Sequence, residues 1–447
     1  MASAIEQLAA NLNFAALAKA TELKKRLWFT LGALIIYRLG TFIPIPGIDA
    51  TVLAELLATQ AGGILGMFNM FSGGALGRMT IFALNIMPYI SAAIIMQLMT
   101  TVSPTIAQLR KEGEAGRRKI NQYTRYGTVV LAALQGWGIA VGLEGFSSAA
   151  GPAVLDPGLF FRFTTTIILA SGTVFLMWLG EQITARGVGN GISLIIFAGI
   201  VAEIPSSLAQ TFEFARTGQM SVGFLGFLVV MIAGVLVAIV FMERAQRRIT
   251  VQYPKRQMGM RMVGGESTHL PMKVNSAGVI PPIFASSILL LPITVIGFNA
   301  GQGPDWLAWI AAQLGRGQPL YMLLYAAAII FFAFFYTSVV FNPVDTADNL
   351  KKHGGFIPGI RPGKNTAEHL EYVLTRLTVV GAAYLTAVSL LPEILISRFA
   401  VPFYFGGTSL LIVVTVTLDT LGQIQSHLLA HQYEGLIKKA KLRGRQR

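Results

Sequence analysis

The chain has 447 residues, 53% of them hydrophobic and only 13% charged, with a mean hydropathy of +0.61. A soluble domain carries about a quarter charged residues, so this balance excludes an ordinary soluble protein and points to a polytopic membrane protein. The absence of cysteine rules out disulfide frameworks, thiolate zinc sites and cysteine nucleophiles, and the net charge of +14 has to be read against the spans before it is taken as a sign of nucleic acid.

Met1 to Thr21 alternates alanines with Glu6, Asn11, Asn13 and Lys19. It lacks the basic, apolar, small-residue order of a cleaved signal, so the N-terminus is expected to be retained. Onward from there, uncharged runs of about 17–25 residues predict ten spans. They lie near 27–44, 79–102, 124–143, 160–180, 188–206, 219–242, 275–298, 319–341, 373–392 and 402–426. Arg38 lies near the far end of the first, where a long side chain reaches the interface. The fifth is squeezed between Arg186 and Glu203, and the tenth runs past Asp419. Five spans precede the Gly218 region and five follow it, which permits two inverted halves, although the halves share no sequence similarity.

Glu55 to Val102 consists of two unlike parts. Residues 56–77 carry no charge but six glycines, Gly62, Gly63, Gly66, Gly73, Gly74 and Gly77, each costing about 0.5–1 kcal/mol in a helix interior. The expectation is a loose, easily displaced half-length segment that sits beside protein or water. Met79 to Val102 is long enough to span, yet it holds Asn85, Pro88 and Gln97, which a plain lipid anchor does not need.

Basic residues decide the orientation. With the N-terminus in the cytoplasm, 29 of the 35 lysines and arginines fall on that side, five lie outside (Arg78, Arg162, Arg216, Arg316, Arg398) and Arg38 lies within a span. Both termini are therefore expected to be cytoplasmic, and topology alone accounts for most of the charge. Two cytoplasmic loops are longer than topology requires. Glu243 to Ser276 alternates like a strand in RITVQY, then carries a basic tip around Lys255, Arg256 and Arg261, and reads as a hairpin. Asn342 to Glu371 contains FIPGIRPG (356–363), a turn fixed by glycine and proline that presents Arg361. An acidic protein surface or RNA phosphates are the partners such loops fit.

Enzyme constellations are missing from the sequence. His427 and His431 share a helix face without a third ligand, and Glu368-His369 is not followed by a second histidine at zinc-protease spacing. Ser171 and Ser193 have no histidine within a span to activate them, and GVGNG (187–191) lacks the Lys-Ser/Thr ending of a phosphate loop. No catalytic residue, metal or cofactor is expected. Proton- or ion-coupled carriers use ionisable groups near mid-membrane, and only Arg38 and Asp419 come close. The spans offer isoleucine instead: Ile86 and Ile90 flank Pro88, and Ile192 and Ile196 repeat the i, i+4 spacing. Facing a common axis, such pairs form an apolar constriction that closes without charge. Physical reading alone leaves a channel and a carrier both open.

Long ordered stretches resemble the SecY family of protein-translocation channel subunits. They are RLWFTLGALIIYRLGTFIPIPGID (26–49), FNMFSGGALGRMTIFALNIMPYISAAIIMQL (68–98), GVGNGISLIIFAGIV (187–201), STHLPMKVNSAGVIPPIFASS (267–287), NPVDTADNLKKHGGFIPGIRPG (342–363) and FYFGGTSLLIVV (403–414). The resemblance implies an all-α polytopic membrane protein of ten transmembrane helices in two pseudo-symmetric halves of five, 27–206 and 219–426. These sit between a cytoplasmic tail, 1–26, and a basic tail, 427–447, with cytoplasmic loops 243–276 and 342–371. It implies a plug half-helix at 62–77, comprising Gly62, Gly63, Ile64, Leu65, Gly66, Met67, Phe68, Asn69, Met70, Phe71, Ser72, Gly73 and Gly74 with the residues up to Gly77.

The family's pore ring corresponds to Ile86, Ile90, Ile192, Ile196, Ile283 and Ile412, and its lateral gate to positions including Ser91 and Leu291. Docking of a ribosome and a SecA-like motor ATPase is implied for Tyr253, Lys255, Arg256, Arg261 and Arg361. Met260 stands where relatives often place a second basic residue beside Arg261, a departure that alters the contact at that tip. SecE-like and SecG-like small membrane subunits, secretory and membrane polypeptides as substrates, the lipid bilayer, and a bacterial plasma (inner) membrane location are implied in the same way.

Overall fold

The computed structural model describes residues 20–49, 52–53, 69, 72–145, 147–148, 151–218, 221–254, 256–258, 261–263, 267–299, 313, 318–399 and 407–444. Side chains at 147–148, 222, 256–258, 261–263, 290–299, 396–399 and 431–444 lie outside the description. The protein is an all-α, multi-pass membrane protein. Its helices are α1 (Thr21–Gly40), α2 (Met87–Val102), α3 (Pro104–Lys111), α4 (Glu114–Glu144), α5 (Leu159–Arg186) and α6 (Gly191–Arg216), then α7 (Val222–Arg244), α8 (Ile280–Asn299), α9 (Pro319–Val340), α10 (Pro343–Lys352), α11 (Lys364–Phe399) and α12 (Gly407–Gly444). Among the described residues the strands form three antiparallel ribbons: β1 (Ser147–Ser148) with β2 (Gly151–Pro152), β3 (Gln246–Gln252) with β6 (Ser267–Lys273), and β4 (Arg256–Met258) with β5 (Arg261–Val263).

Each predicted span falls on one of these helices. Among the described residues, seven helices are long and apolar enough to cross a bilayer, and α2 with α3 makes a bent pair with an angle of 97°. Exposed apolar side chains such as Trp28 (68%), Phe160 (83%) and Val230 (71%) fit helices whose solvent is hydrocarbon. The second span differs from expectation. Residues 79–86 are turns and one bridge residue, Thr80; Met79 and Asn85 have φ of 42° and 50°, and the helix starts only at Met87 with Pro88 in its first turn. Proline is tolerated there because the first turn needs no N–H donor. Elsewhere α4, α5 and α11 outrun their uncharged windows at both ends, because their charged ends continue into water, whereas α9 ends within a residue of its window.

The chain forms two compact units. In the unit of 1–210, 291–311 and 416–447, α4 packs along α5, α2 along α4, and α1 against α5. Gly136 sets the first approach: a Cβ there would lie 3.4 Å from the Cα of Thr166. Trp137 meets Phe163 edge-on at 5.3 Å, and Arg125 clamps Glu181 through two bonds of 2.9 and 2.7 Å. Glu144, at the end of α4, accepts from Arg162 and from the Gly158 amide, which fixes the start of α5.

In the unit of 211–290 and 312–415, α9 and α10 pack on α11, and Phe284 of α8 stands edge-on to Phe332 and Tyr336 of α9. Ser221 caps α7 and Asn342 caps α10, each oxygen satisfying an amide that the first turn leaves unpaired.

Candidate functional site

The described end of the glycine-rich stretch is a tight knot. Gly73 and Gly74 have φ of 65° and 80°, a left-handed backbone that residues with a Cβ avoid. Ser72 donates to the Asn69 carbonyl at 2.9 Å and accepts from the Leu76 amide at 3.1 Å, while Asn69 Oδ1 accepts from the Gly77 amide at 2.6 Å. Arg38 Nη1 donates to the Gly73 carbonyl at 2.7 Å, Arg78 donates to the Gly74 carbonyl at 3.2 Å, and both guanidiniums lie over the Phe42 ring. A Cβ on Gly74 would sit 2.6 Å from Glu203 Oε1, and one on Gly73 3.0 Å from the Cα of Gly199 in α6. Burial, together with Arg38, pushes the Arg78 guanidinium pKa down from its ordinary value, and Glu203 pushes it up. Ser72, Ala75 and Leu76 are buried. Ser72 to Gly77 is thus hydrogen-bonded and packed in this structure, where glycine content alone predicts a loose segment. Gly62, Gly63, Ile64, Leu65, Gly66, Met67, Phe68, Met70 and Phe71 lie outside the described residues.

Backbone bonds fix the knot's surroundings. The Ile45 amide donates to Met79 O and the Ile81 amide to Ile43 O, at 2.9 and 3.0 Å, forming a bridge between Pro44 and Thr80. Further along the same segment, residues 47–49 are bonded to 153–155, through Asp49 N to Ala153 O and Leu155 N to Gly47 O. Phe82 is stacked between Tyr37 and Phe175, and a Cβ on Gly172 of α5 would overlap the Ile81 carbonyl oxygen.

That frame positions the first isoleucines. Ile86 and Ile90 are buried at the start of α2, the Ile90 amide bonds back to the Ile86 carbonyl, and Ser91 is buried beside them in sequence. On α6, Ile196 is buried and Ile192 half-buried; Ile192 Cγ1 lies 3.2 Å from where a Cβ on Gly180 would stand. The GVGNG lead-in is held in place: Asn190 caps α6 by accepting from the Ile192 amide, the Val188 amide donates to Thr30 of α1, and the Gly189 amide donates to Gln423 of α12. These four isoleucines belong to the first unit. Ile283, half-buried with its carbonyl accepting from Ser286 and Ser287, and the buried Ile412 belong to the second. Leu291 lies on α8, but its side chain lies outside the described residues.

The two long loops, expected as separate features, form one body. β3 and β6 pair in register from Gln246–Lys273 to Gln252–Ser267, and Gln252 exchanges both backbone bonds with Phe356 of the second loop, at 2.8 and 2.9 Å. Ile249 and Met272 from the ribbon, Ile357 from the second loop, and Leu370, Val373 and Leu374 from α11 share one apolar core. Tyr253 is half-buried, its ring 3.0 Å from where a Cβ on Gly355 would stand. Arg361 is exposed, and its carbonyl accepts from Thr366. Arg256 and Arg261 lie on β4 and β5, whose side chains are outside the description, as are Lys255 and Met260 altogether.

Glu203, the acid met inside the fifth window, lies within α6 against the knot. Two acids escaped the sequence reading: Glu243 is buried at the end of α7, and Glu393 is buried within α11 next to Pro392. Each stands just beyond an uncharged window, so the only signal was that the window's edge was an acid.

A family model described as SecY matches residues 80–421. The protein translocase subunit SecY of Escherichia coli (strain K12) is 59% identical over 424 residues, covering 95% of this chain and 96% of its own length. The protein of the same description from Vibrio cholerae is 57% identical with the same coverage. A solved structure described as that of a protein conducting channel superposes with a TM-score of 0.65 at 19% identity, over 91% of this chain and 92% of that one. Sec61 in the canine ribosome-channel complex superposes with a TM-score of 0.62 at 18% identity, with the same coverage.

Proposed function

The chain belongs to the SecY family, and on that premise we propose that it is the central channel subunit of a Sec-type translocon. It passes unfolded secretory polypeptides across the membrane and releases apolar segments sideways into lipid. The observation that carries this reading is the match to translocase subunits along 95% of the chain, polar loops included.

In this reading residues 62–77 are the plug, and Ile86, Ile90, Ile192, Ile196, Ile283 and Ile412 ring the pore. A passing chain presents every kind of side chain, so the pore holds no specific site; an apolar collar fits around it and limits leakage of ions. Ser91 and Leu291 lie along the lateral gate, where a segment leaves on transfer free energy of about 0.3–0.6 kcal/mol per central leucine or isoleucine. The chain catalyses no chemical step. Energy comes from a ribosome or a SecA-like motor ATPase docked on the body formed by the two loops, with Tyr253, Lys255, Arg256, Arg261 and Arg361 as contacts. SecE-like and SecG-like subunits complete the complex in a bacterial inner membrane, with both termini cytoplasmic as the basic residues indicate.

The absence of cysteine makes the test direct. A single Ile196→Cys substitution is combined with a stalled secretory polypeptide carrying one cysteine. A disulfide that forms, and is lost when the polypeptide's cysteine is moved well outside the membrane, supports this path. If no position on the stalled chain crosslinks while control cysteines on the loops do, the interior is not the path and a small-solute carrier replaces the channel.

A further inference from the structure

The β3–β6 ribbon is joined to two membrane helices by very short connections. Ala245 alone separates α7 from β3, and residues 274–279 separate β6 from α8. The ladder continues one bond past the ribbon, from the Val274 amide to the Ala245 carbonyl at 3.0 Å, so the two connections are tied together where they leave the strands.

Asn275 lies in that junction and is buried. A side-chain amide has two hydrogens to give; here one goes to Glu243 Oε1 of α7 at 2.6 Å and the other to the carbonyl of Gly278 at 3.1 Å. One side chain therefore bridges the end of α7 and the turn that starts α8. That turn has a left-handed glycine, Gly278 at φ 62°, with no neighbour crowding it. α11 backs the junction closely, since a Cβ on Gly381 would come 2.9 Å from the Val274 carbonyl. One helical turn beyond Gly381, the Tyr384 hydroxyl is buried without a hydrogen-bond partner, within electrostatic reach of Glu243. Buried polar groups are nearly always paired, and an unpaired one calls for an arrangement that uses it.

We propose that Glu243 and Asn275 are positioning residues that pass a load on the β3–β6 ribbon to the first turn of α8, which carries Ile283, and that Tyr384 is the second station of the Glu243 carboxylate. In the arrangement seen here Glu243 holds Asn275. When the ribbon shifts against α11, Asn275 withdraws with the α8 turn and the Tyr384 hydroxyl donates to Glu243 in its place. The charge stays hydrogen-bonded in both positions, which makes the junction a two-state element. Transport as the consequence rests on the channel reading; the junction itself does not.

The test uses the full chain with its small membrane subunits in vesicles, driven by the motor ATPase. Asn275→Ala and Glu243→Leu are expected to lower the maximal transport rate about five-fold or more, while the motor concentration giving half-maximal rate stays within about two-fold. Glu243→Gln, which keeps an acceptor oxygen, retains at least about half the rate. Tyr384→Phe removes only an unpaired hydroxyl and leaves folding intact, and it lowers the maximal rate about two- to three-fold. Equal losses of rate and motor affinity, or wild-type rates in Asn275→Ala and Tyr384→Phe, overturn the proposal.

A second readout needs no transport. Nitroxide labels on Thr268→Cys and Leu289→Cys report the ribbon-to-α8 distance distribution, which Asn275→Ala is expected to broaden. Broadening in a complex that does not transport keeps the pair and discards the channel reading. An unchanged distribution overturns the pair.

Discussion

Arg38 donates to the carbonyl oxygen of Gly73 at 2.7 Å, fastening the last turn of the first helix to the point where the glycine-rich stretch turns back. The acceptor belongs to a left-handed glycine, and Arg78 reaches the same carbonyl at 3.4 Å. Two cations therefore share one oxygen at that end of the stretch. Removing one charge-assisted bond of this kind costs about 1.5–3 kcal/mol.

We expect Arg38→Leu to raise resting ion conductance in planar bilayers by about ten-fold or more, since each 1.4 kcal/mol shifts an equilibrium ten-fold. Gly74→Val is expected to act in the same direction, because its side chain would meet both Arg78 and Glu203 at a positive φ. Resting conductance equal to wild type in both variants would falsify the anchoring role.

Two glycines of the first and second units make a matched pair. Gly172→Ala drives a methyl into the Ile81 carbonyl, whereas Gly226, inside α7, has nothing within 4 Å. Overpacking of this sort costs about 1–3 kcal/mol, and replacing an uncrowded helix glycine by alanine gains about 0.5–1 kcal/mol. Melting in detergent, followed by tryptophan fluorescence, is expected to fall for Gly172→Ala and to hold or rise for Gly226→Ala. Equal melting of the two variants removes the close approach of α5 to residue 81.

Ile86→Asn and Ile192→Asn place a hydrated amide where the proposed collar needs apolar surface. Both are expected to raise ion leak and to let polypeptides with weakened signals through, measured as conductance and as export of a signal-defective reporter. Unchanged conductance in both places these residues away from the constriction.

Arg361→Glu reverses an exposed charge on the second loop without touching the apolar core beneath it. Motor-driven transport is expected to drop about ten-fold at limiting motor, while membrane insertion of the chain itself stays intact. Phe356→Pro, which deletes the amide that donates to Gln252, is expected to give the same loss by detaching the second loop from the ribbon. Normal export by Arg361→Glu removes that residue from the docking surface.

Much of the architecture was legible because a bilayer imposes a length and a polarity on anything that crosses it. The ten apolar runs lie on helices, and RITVQY became a strand. Helix ends were not legible in the same way: Pro88 read as an oddity inside a span, yet it marks where the helix begins. Glycine content foretold a weak segment but not the fate of Gly73 and Gly74, whose carbonyls accept from the nearby Arg78 and, for Gly73, from Arg38 thirty-five residues back. The union of the two long loops was equally hidden, since Ile249 and Ile357 are more than a hundred residues apart and nothing local pairs them. Buried Glu243 and Glu393 were missed because a charge count treats an acid as the end of a span and asks nothing about what it bonds.

The bridges from Pro44 to Thr80 and from Ile48 to Val154 are made by peptide groups, whose donors and acceptors are the same for almost every residue. The bridges themselves are therefore blind to side-chain identity, and within 43–48 only the buried Ile45 and the left-handed Gly47 (φ 87°) are constrained, while the turn they surround depends on two glycines and two arginines. Sequence drift is absorbed by the frame and felt in the turn. A library randomised at residues 43, 44, 46 and 48 is expected to yield many working channels, and one randomised at 72–78 very few.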